Sequence, residues 1–364
     1  VTPTERAALA RAIALAGTVR TTASPNPGVG CVILRAGEVV GSGATETPPG
    51  RHAEVVALAM AGDAARGATA VVTLEPCAHQ GRTPPCTDAL LAAGVARVVI
   101  AHPDPNPLAT GGARRLSDAG VEVVGPLPAG DPFREAVALQ LEGFLSCVRA
   151  GRPHVTVKLA QTADGSLVSP TGRWVTGPAA RRAVHRWRAA VDGVLVGSGT
   201  VLSDDPRLDV RAVSTEHQPR AVVFDARLRT PPSAALSRHG TVLVTVADEG
   251  DPRRGGAREL LAARGVTILE VPAGADGVGL DLFAALAAVA DAGFCTLLAE
   301  PGPTLAGALH AAGLIDRLVL HVAVGLGNGP PRRVLPDPPR GRWRTERAGG
   351  AGEDLVLHLA PEST

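Results

Sequence analysis

The chain has 364 residues, of which 45% are hydrophobic and 20% charged, with a formal net charge of +1. Such a composition can fill sizeable cores, which excludes a disordered chain, and the length points to about two domains. Near neutrality, with 2% aromatics and no tyrosine, it lacks the basic face and stacking rings of a nucleic-acid binder.

Hydrophobic periodicity predicts a helix over 4–17, then strands over 28–34 and 38–43 turning at Arg35-Ala36-Gly37. A helix over 53–65, a buried strand over 69–74, a helix over 87–93 and a strand over 95–101 follow. A helix over 112–119, a strand over 121–124 and a helix over 133–148 complete the first part. Ala150-Gly151-Arg152-Pro153 reads as a boundary, because glycine stops a helix and proline blocks its return. Domains over 1–150 and 151–364 are expected. Beyond the boundary come strands over 155–159, 193–197, 220–225 and 242–246, with a helix over 179–190. Helices over 258–264 and 280–290 and a strand over 296–299 lead to Glu300-Pro-Gly-Pro-Thr304 and a helix to about residue 312. Strands over 318–324 and 355–359 close the chain, with 329–339 as a surface loop. Strands alternating with helices predict α/β layers with partly parallel sheets.

His52-Ala53-Glu54, Pro76-Cys77 and Cys86 carry the clearest chemistry. One imidazole and two thiols suit Zn²⁺, and three protein ligands leave a fourth position for water, as in catalytic zinc sites. Zinc lowers the pKa of such a water to about 7. Glu54, two residues from His52, is placed to move a proton without binding the metal. His-x-Glu with a later Pro-Cys-x-x-Cys marks zinc nucleobase deaminases; here eight residues separate the cysteines. A lone cysteine is more often a small core residue, and Cys31, Cys147 and Cys295 are read that way.

Ser24-Pro-Asn-Pro-Gly-Val-Gly-Cys31, His52-Ala-Glu and Glu75-Pro-Cys-Ala-His-Gln-Gly-Arg-Thr-Pro-Pro-Cys86 resemble the deaminase half of the bifunctional riboflavin biosynthesis proteins. The resemblance implies a cytidine deaminase-like α/β/α domain acting on 2,5-diamino-6-(5-phosphoribosylamino)pyrimidin-4-one. Water would attack the ring carbon bearing the 2-amino group while Glu54 shuttles protons to the ring nitrogen and departing ammonia. Asn26, His79, Arg82, Thr83, Asp104 and Asn106 would contact the substrate. Family members often carry a histidine where Gly41-Ser-Gly-Ala-Thr45 ends in threonine, which removes one charged contact.

The second half contains Lys158, the only lysine in the chain, where an amine does what guanidinium cannot. Gly197-Ser-Gly199-Thr200 lacks the third glycine of a dinucleotide fingerprint, since Leu202 stands there. Gly302-Pro-Thr-Leu-Ala-Gly307 follows a strand and opens a helix, a better setting for a phosphate. Together with Asp164-Gly165, Trp174-Val-Thr-Gly and Gly197–Pro206 these segments resemble the reductase half of the same family. That half is similar in fold to dihydrofolate reductase and uses NADPH to turn a ribosyl group into ribityl. By this resemblance Ala160, Trp174, Thr200, Asp204, Gly302, Pro303, Thr304, Leu305, Ala306, Gly307 and Ala308 face NADPH. Gly172, Arg188, Leu208, Arg211 and Glu300 face the substrate, and Lys158 and Glu300 are the polar candidates for catalysis. Gln161 and Gly172 depart from commoner family residues. An alternative reading therefore keeps deamination alone, with a reductase half that is inactive or serves a different pyrimidine.

No apolar run approaches the ~18 residues of a membrane span, and Val1-Thr2-Pro3-Thr4-Glu5-Arg6 carries no secretory pattern. Five cysteines, two of them read as metal ligands, suit a reducing compartment. A cytoplasmic enzyme of small-molecule substrates is expected, without nucleic-acid or membrane partners. Related enzymes associate through the reductase half, which implies a homo-oligomer.

Overall fold

The computed structural model describes residues 1–81, 83–167, 174–247, 252–275, 277, 279–327 and 342–362. The chain divides into two units, Val1–Gly151 and Arg152–Thr364. In chain order the first contains α1 (Pro3–Thr18), β1 (Gly30–Arg35), β2 (Glu38–Ala44), α2 (Ala53–Ala61), β3 (Thr69–Leu74) and α3 (Cys86–Ala92). β4 (Arg97–His102), α4 (Gly112–Asp118), β5 (Glu122–Val124), α5 (Pro132–Gln140) and α6 (Glu142–Ala150) follow.

Its five strands lie in the order β2-β1-β3-β4-β5. β1 runs antiparallel to β2 and β3, while β3, β4 and β5 are parallel. Central β3 and β4 are buried along nearly their whole length, as apolar strands covered on both faces must be. Thr2 opens α1 with a capping box to Glu5, and Pro3 starts the first turn, where a missing N–H costs nothing. Gly43 lets α2 lie on β2: a Cβ there would fall 2.7 Å from the Ala53 carbonyl and the Ala57 amide. That close approach holds the start of α2, and hence His52, against the sheet. The helix expected over 133–148 is instead two, α5 and α6, interrupted at Leu141. Buried Leu141 leaves helical ψ (φ −92°, ψ 7°), a break that the apolar periodicity alone does not reveal.

The second unit contains β6 (His154–Thr162), α7 (Pro178–Arg188), β7 (Gly193–Gly197), α8 (Ser198–Asp204), β8 (Arg220–Phe224) and β9 (Val242–Val246). α9 (Pro252–Ala263), β10 (Thr267–Val271), α10 (Leu282–Asp291), β11 (Thr296–Ala299) and α11 (Pro303–Ala311) come next. β12 (Arg317–Ala323), β13 (Trp343–Ala351) and β14 (Asp354–Pro361) complete it. The order is β10-β9-β8-β7-β11-β6-β12-β14-β13. Pairing is parallel from β10 to β12, and β14 and β13 add on antiparallel. The carboxyl ends of β6, β7 and β11 therefore open on one edge, the usual place for a ligand in such sheets. Three elements escape the sequence patterns: α8, β10 and β13. β13 is exposed on almost every residue, so no apolar alternation announces it. The loop expected over 329–339 lies outside the described residues.

Candidate active sites

In the first unit the end of β3, the start of α2 and the start of α3 converge. His52 is the N-cap residue of α2, Cys77 follows β3, and Cys86 is the first residue of α3. The three ligand atoms lie within 4.8 Å of one another. His52 Nδ1 is 3.1 Å from Cys86 Sγ and 3.7 Å from Cys77 Sγ. Ligands on one tetrahedral zinc, at ordinary Zn–N and Zn–S lengths, sit about 3.6 Å apart, so this donor set fits that ion. The other ring nitrogen, Nε2, lies 3.4 Å from Thr83 Oγ1, which fixes the ring with Nδ1 toward the sulfurs. Hydrogen bonding from Cys86, and secondarily from His52, draws the Cys77 thiol down to about 4 against the effect of burial. A ready thiolate is what a metal requires.

Glu54 is 4% exposed in the first turn of α2. Burial, reinforced by the Cys77 charge, raises its carboxyl above the ordinary value. A buried carboxyl shifted in that direction is the kind of group that serves general acid–base chemistry. A cavity of about 50 Å³ is lined by Asn26, Thr45, His52, Glu54, Cys77 and Asp104, with Glu75 among its other walls. His79 has a buried Nδ1 without a hydrogen-bond partner. Asn106 is not in the lining: its side chain accepts from the Leu108 amide and its own amide donates to Asp104. Arg82 lies outside the described residues. Thr45, in place of a charged residue, is spent on structure: its hydroxyl accepts from Val29 N and donates to the Pro27 carbonyl. Cys31 and Cys295 are buried, and none of the five cysteines is in a disulfide.

In the second unit a cleft of about 570 Å³ opens at the carboxyl ends of the parallel strands. Lys158 and Ala160, from one face of β6, line it together with Trp174, Thr200, Asp204 and Pro303. Arg188, Leu208, Arg211 and Glu300 face the same space. Burial lowers the Lys158 pKa, with Glu300 opposing it and Arg188 adding to it. Glu300 would be raised by burial, yet Arg188 and then Lys158 hold it below its ordinary value. Arg188 grips both Glu300 oxygens, at 2.7 and 2.9 Å, and gives its remaining nitrogen to the Asp209 carbonyl at 3.1 Å. Arg211 is tied through one nitrogen to Asp209 at 2.5 Å. Trp174 is 54% exposed at the rim, beneath the Arg181 guanidinium.

Gly302 is the N-cap residue of α11 and Pro303 opens its first turn. Thr304 and Ala308 are exposed, Leu305 and Gly307 half-buried, and Ala306 is fully buried in the core, so its side chain cannot face a ligand. Gly172 lies outside the described residues. Sequence reasoning passed over His185, Arg181, Asp205 and Arg207, all of which line the cleft. Asp205 and Leu208 have positive φ, 42° and 54°, and such strain in side-chain-bearing residues gathers at functional sites. The Asp204-Asp205-Pro206 run was the available signal.

The two sites define a deaminase unit with a three-ligand metal centre followed by a reductase unit whose cleft is lined by Lys158 and several arginines. Residues 3–102 match the cytidine and deoxycytidylate deaminase zinc-binding region, and residues 153–357 match the RibD C-terminal domain. Riboflavin biosynthesis protein RibD of Escherichia coli is 40% identical over 96% of this chain and 98% of its own length. That of Aquifex aeolicus is 39% identical over 92% of each. The Acinetobacter baumannii RibD structure superposes with a TM-score of 0.85 at 34% identity, covering 99% of both chains. The chain belongs to the riboflavin biosynthesis protein RibD family, the bifunctional deaminase–reductases of riboflavin biosynthesis. Its deaminase half is a metal site of the zinc-binding class, its reductase half implies a nicotinamide cofactor, and its substrates are small molecules. Among the described residues no helix is long and apolar enough to cross a membrane.

Proposed function

We propose that residues 1–150 deaminate 2,5-diamino-6-(5-phosphoribosylamino)pyrimidin-4-one and that residues 151–364 reduce the resulting 5-amino-6-(5-phosphoribosylamino)uracil with NADPH. A similar Thermotoga maritima structure, at 26% identity and a TM-score of 0.81, is described as the deaminase and reductase for these two compounds. The observation that carries the reading is the His52, Cys77, Cys86 cluster with buried Glu54 on one 50 Å³ cavity. His52, Cys77 and Cys86 would hold zinc, which would lower the pKa of water so that hydroxide is available at neutral pH. Glu54 accepts the water proton, passes it to the ring nitrogen, and later delivers a proton to ammonia as it leaves. Its raised pKa suits both halves of that exchange. Asn26 reads the pyrimidine edge, His79, Arg82 and Thr83 reach the base and the ribose phosphate, and Asp104 and Asn106 are further substrate contacts.

In the cleft, Ala160, Trp174, Thr200, Asp204 and residues 302–305, 307 and 308 would hold NADPH, which would supply the hydride. Thr304 and Leu305 amides at the start of α11 have no partner within the helix and suit a phosphate. Gly172, Leu208 and Arg211 face the substrate, with Arg211 toward its phosphate. Arg188 orients Glu300 toward the sugar, and Lys158 gives its proton to the nitrogen of the ring-opened imine as the ribosyl C1′ receives hydride. We also read the enzyme as a cytoplasmic homo-oligomer, which light scattering in solution tests.

The zinc-loaded protein should release ammonia from the diaminopyrimidine and then consume NADPH, in preference to NADH, with the deaminated product. Ammonia release without later loss of reduced-nicotinamide absorbance would leave the deaminase-only alternative standing.

A further inference from the structure

We propose that Glu75 is a positioning residue of the deaminase: its buried carboxylate carries the 104–113 segment, and with it Asp104, onto the wall of the metal cavity. Glu75 sits between β3 and Pro76-Cys77 and is 7% exposed. One carboxylate oxygen accepts from the amides of Gly111, at 3.2 Å, and Ala113, at 3.0 Å. The other accepts from the Asp104 amide at 3.3 Å. A single side chain thus holds both ends of the segment that follows β4.

The same segment is pressed onto the metal turn elsewhere. The Ala78 amide donates to the Ala109 carbonyl at 3.2 Å. Gly112 lies so near that a Cβ would fall 1.8 Å from the Pro76 oxygen. The chain from β4 to α4 is therefore seated on the residues flanking Cys77, and Asp104 comes to line the cavity that His52 and Glu54 line. The Glu75 oxygens are engaged by three backbone amides, and the metal-ligand trio is His52, Cys77 and Cys86.

A carboxylate is needed rather than an amide. Glutamine has one acceptor oxygen; if that serves Gly111 and Ala113, its NH₂ confronts the Asp104 N–H, and a buried donor loses its partner. The Asp104 end of the segment then shifts while the metal ligands stay.

This inference rests on the proposed substrate only for its kinetic arm. In the full-length, zinc-loaded enzyme, Glu75→Gln should raise the deaminase KM by roughly 10-fold or more and leave kcat within about 3-fold. Zinc should remain stoichiometric. Combining it with Asp104→Asn should add little further to KM, because both changes act on one contact to the substrate. Amide hydrogen exchange over 104–113 should quicken in Glu75→Gln, and Glu75→Asp should recover part of the KM. Additive KM effects, a fall in kcat alone, zinc loss, or unchanged exchange over 104–113 would each overturn the proposal. Failure of the unaltered enzyme to release ammonia would instead overturn the substrate reading. The exchange and zinc measurements would still judge Glu75.

Discussion

Glu54 and Lys158 show how far a single residue's chemistry depends on where the fold buries it. Glu54 is raised by burial in a cavity that also bears the Cys77 thiolate. Glu54→Gln keeps the shape and removes the carboxyl that the proposed mechanism uses as proton shuttle. Deamination should fall by about 10²–10⁴-fold with zinc content and reductase rate unchanged, measured by ammonia release and metal analysis. Lys158 lies below its ordinary value of 10.5 because burial outweighs the pull of Glu300. In the proposed mechanism its protonated form donates the proton, so reduction should decline as pH rises through a pKa below 10.5. Lys158→Arg keeps the charge but cannot release a proton in that range. Its reductase kcat should drop by about 10²-fold, without the alkaline limb, while ammonia release is unaffected.

At the scale of elements, β12 carries a cost within the sheet. His321 is fully buried on the strand, and both ring nitrogens lack a hydrogen-bond partner. Its edge meets Trp187 of α7, ring centroids 5.3 Å apart. Burial, then the nearby Lys158 and His358 charges, lower its pKa to about 4. The unfolded chain takes up this proton near pH 6.5, the folded one only near 4. His321 thus withdraws stability as pH falls across that window, by about 3 kcal/mol at the low end. His321→Leu should flatten the acid loss and stabilise the second unit by about 1–3 kcal/mol near neutrality, seen by denaturant titration at several pH values. An equal acid slope in both proteins would contradict this account. β13 makes a related point: it is an exposed edge strand held by its ladder to β14 and not by an apolar face.

Over the whole molecule, two sheets each bring the ends of strands from distant sequence to one edge, and each edge carries its own chemistry. Chelation of zinc should abolish deamination and leave NADPH oxidation intact. NADPH at about 100 times its Kd should stabilise the second unit by about 2.7 kcal/mol, observed as slowed amide exchange confined to residues beyond 152. The metal ligands and Glu54 were legible because short motifs flank helix starts and a strand end, where local pattern and site coincide. β3, β7, β9 and β11 were legible as apolar runs buried along nearly their whole length. Arg188 and Glu300 were each picked out, yet their pairing across 112 residues depends on α7 lying beside the end of β11. Glu75 stood in the motif without a role until the chain after β4 returned to its carboxylate. The sequence by itself determined the ligand set, the alternation of strands and helices and the family's chemistry, because those are written in contiguous residues. Only the tertiary structure decided which charges are paired, which are buried alone and which loops are held at the sites, because those depend on contacts between segments far apart in the chain.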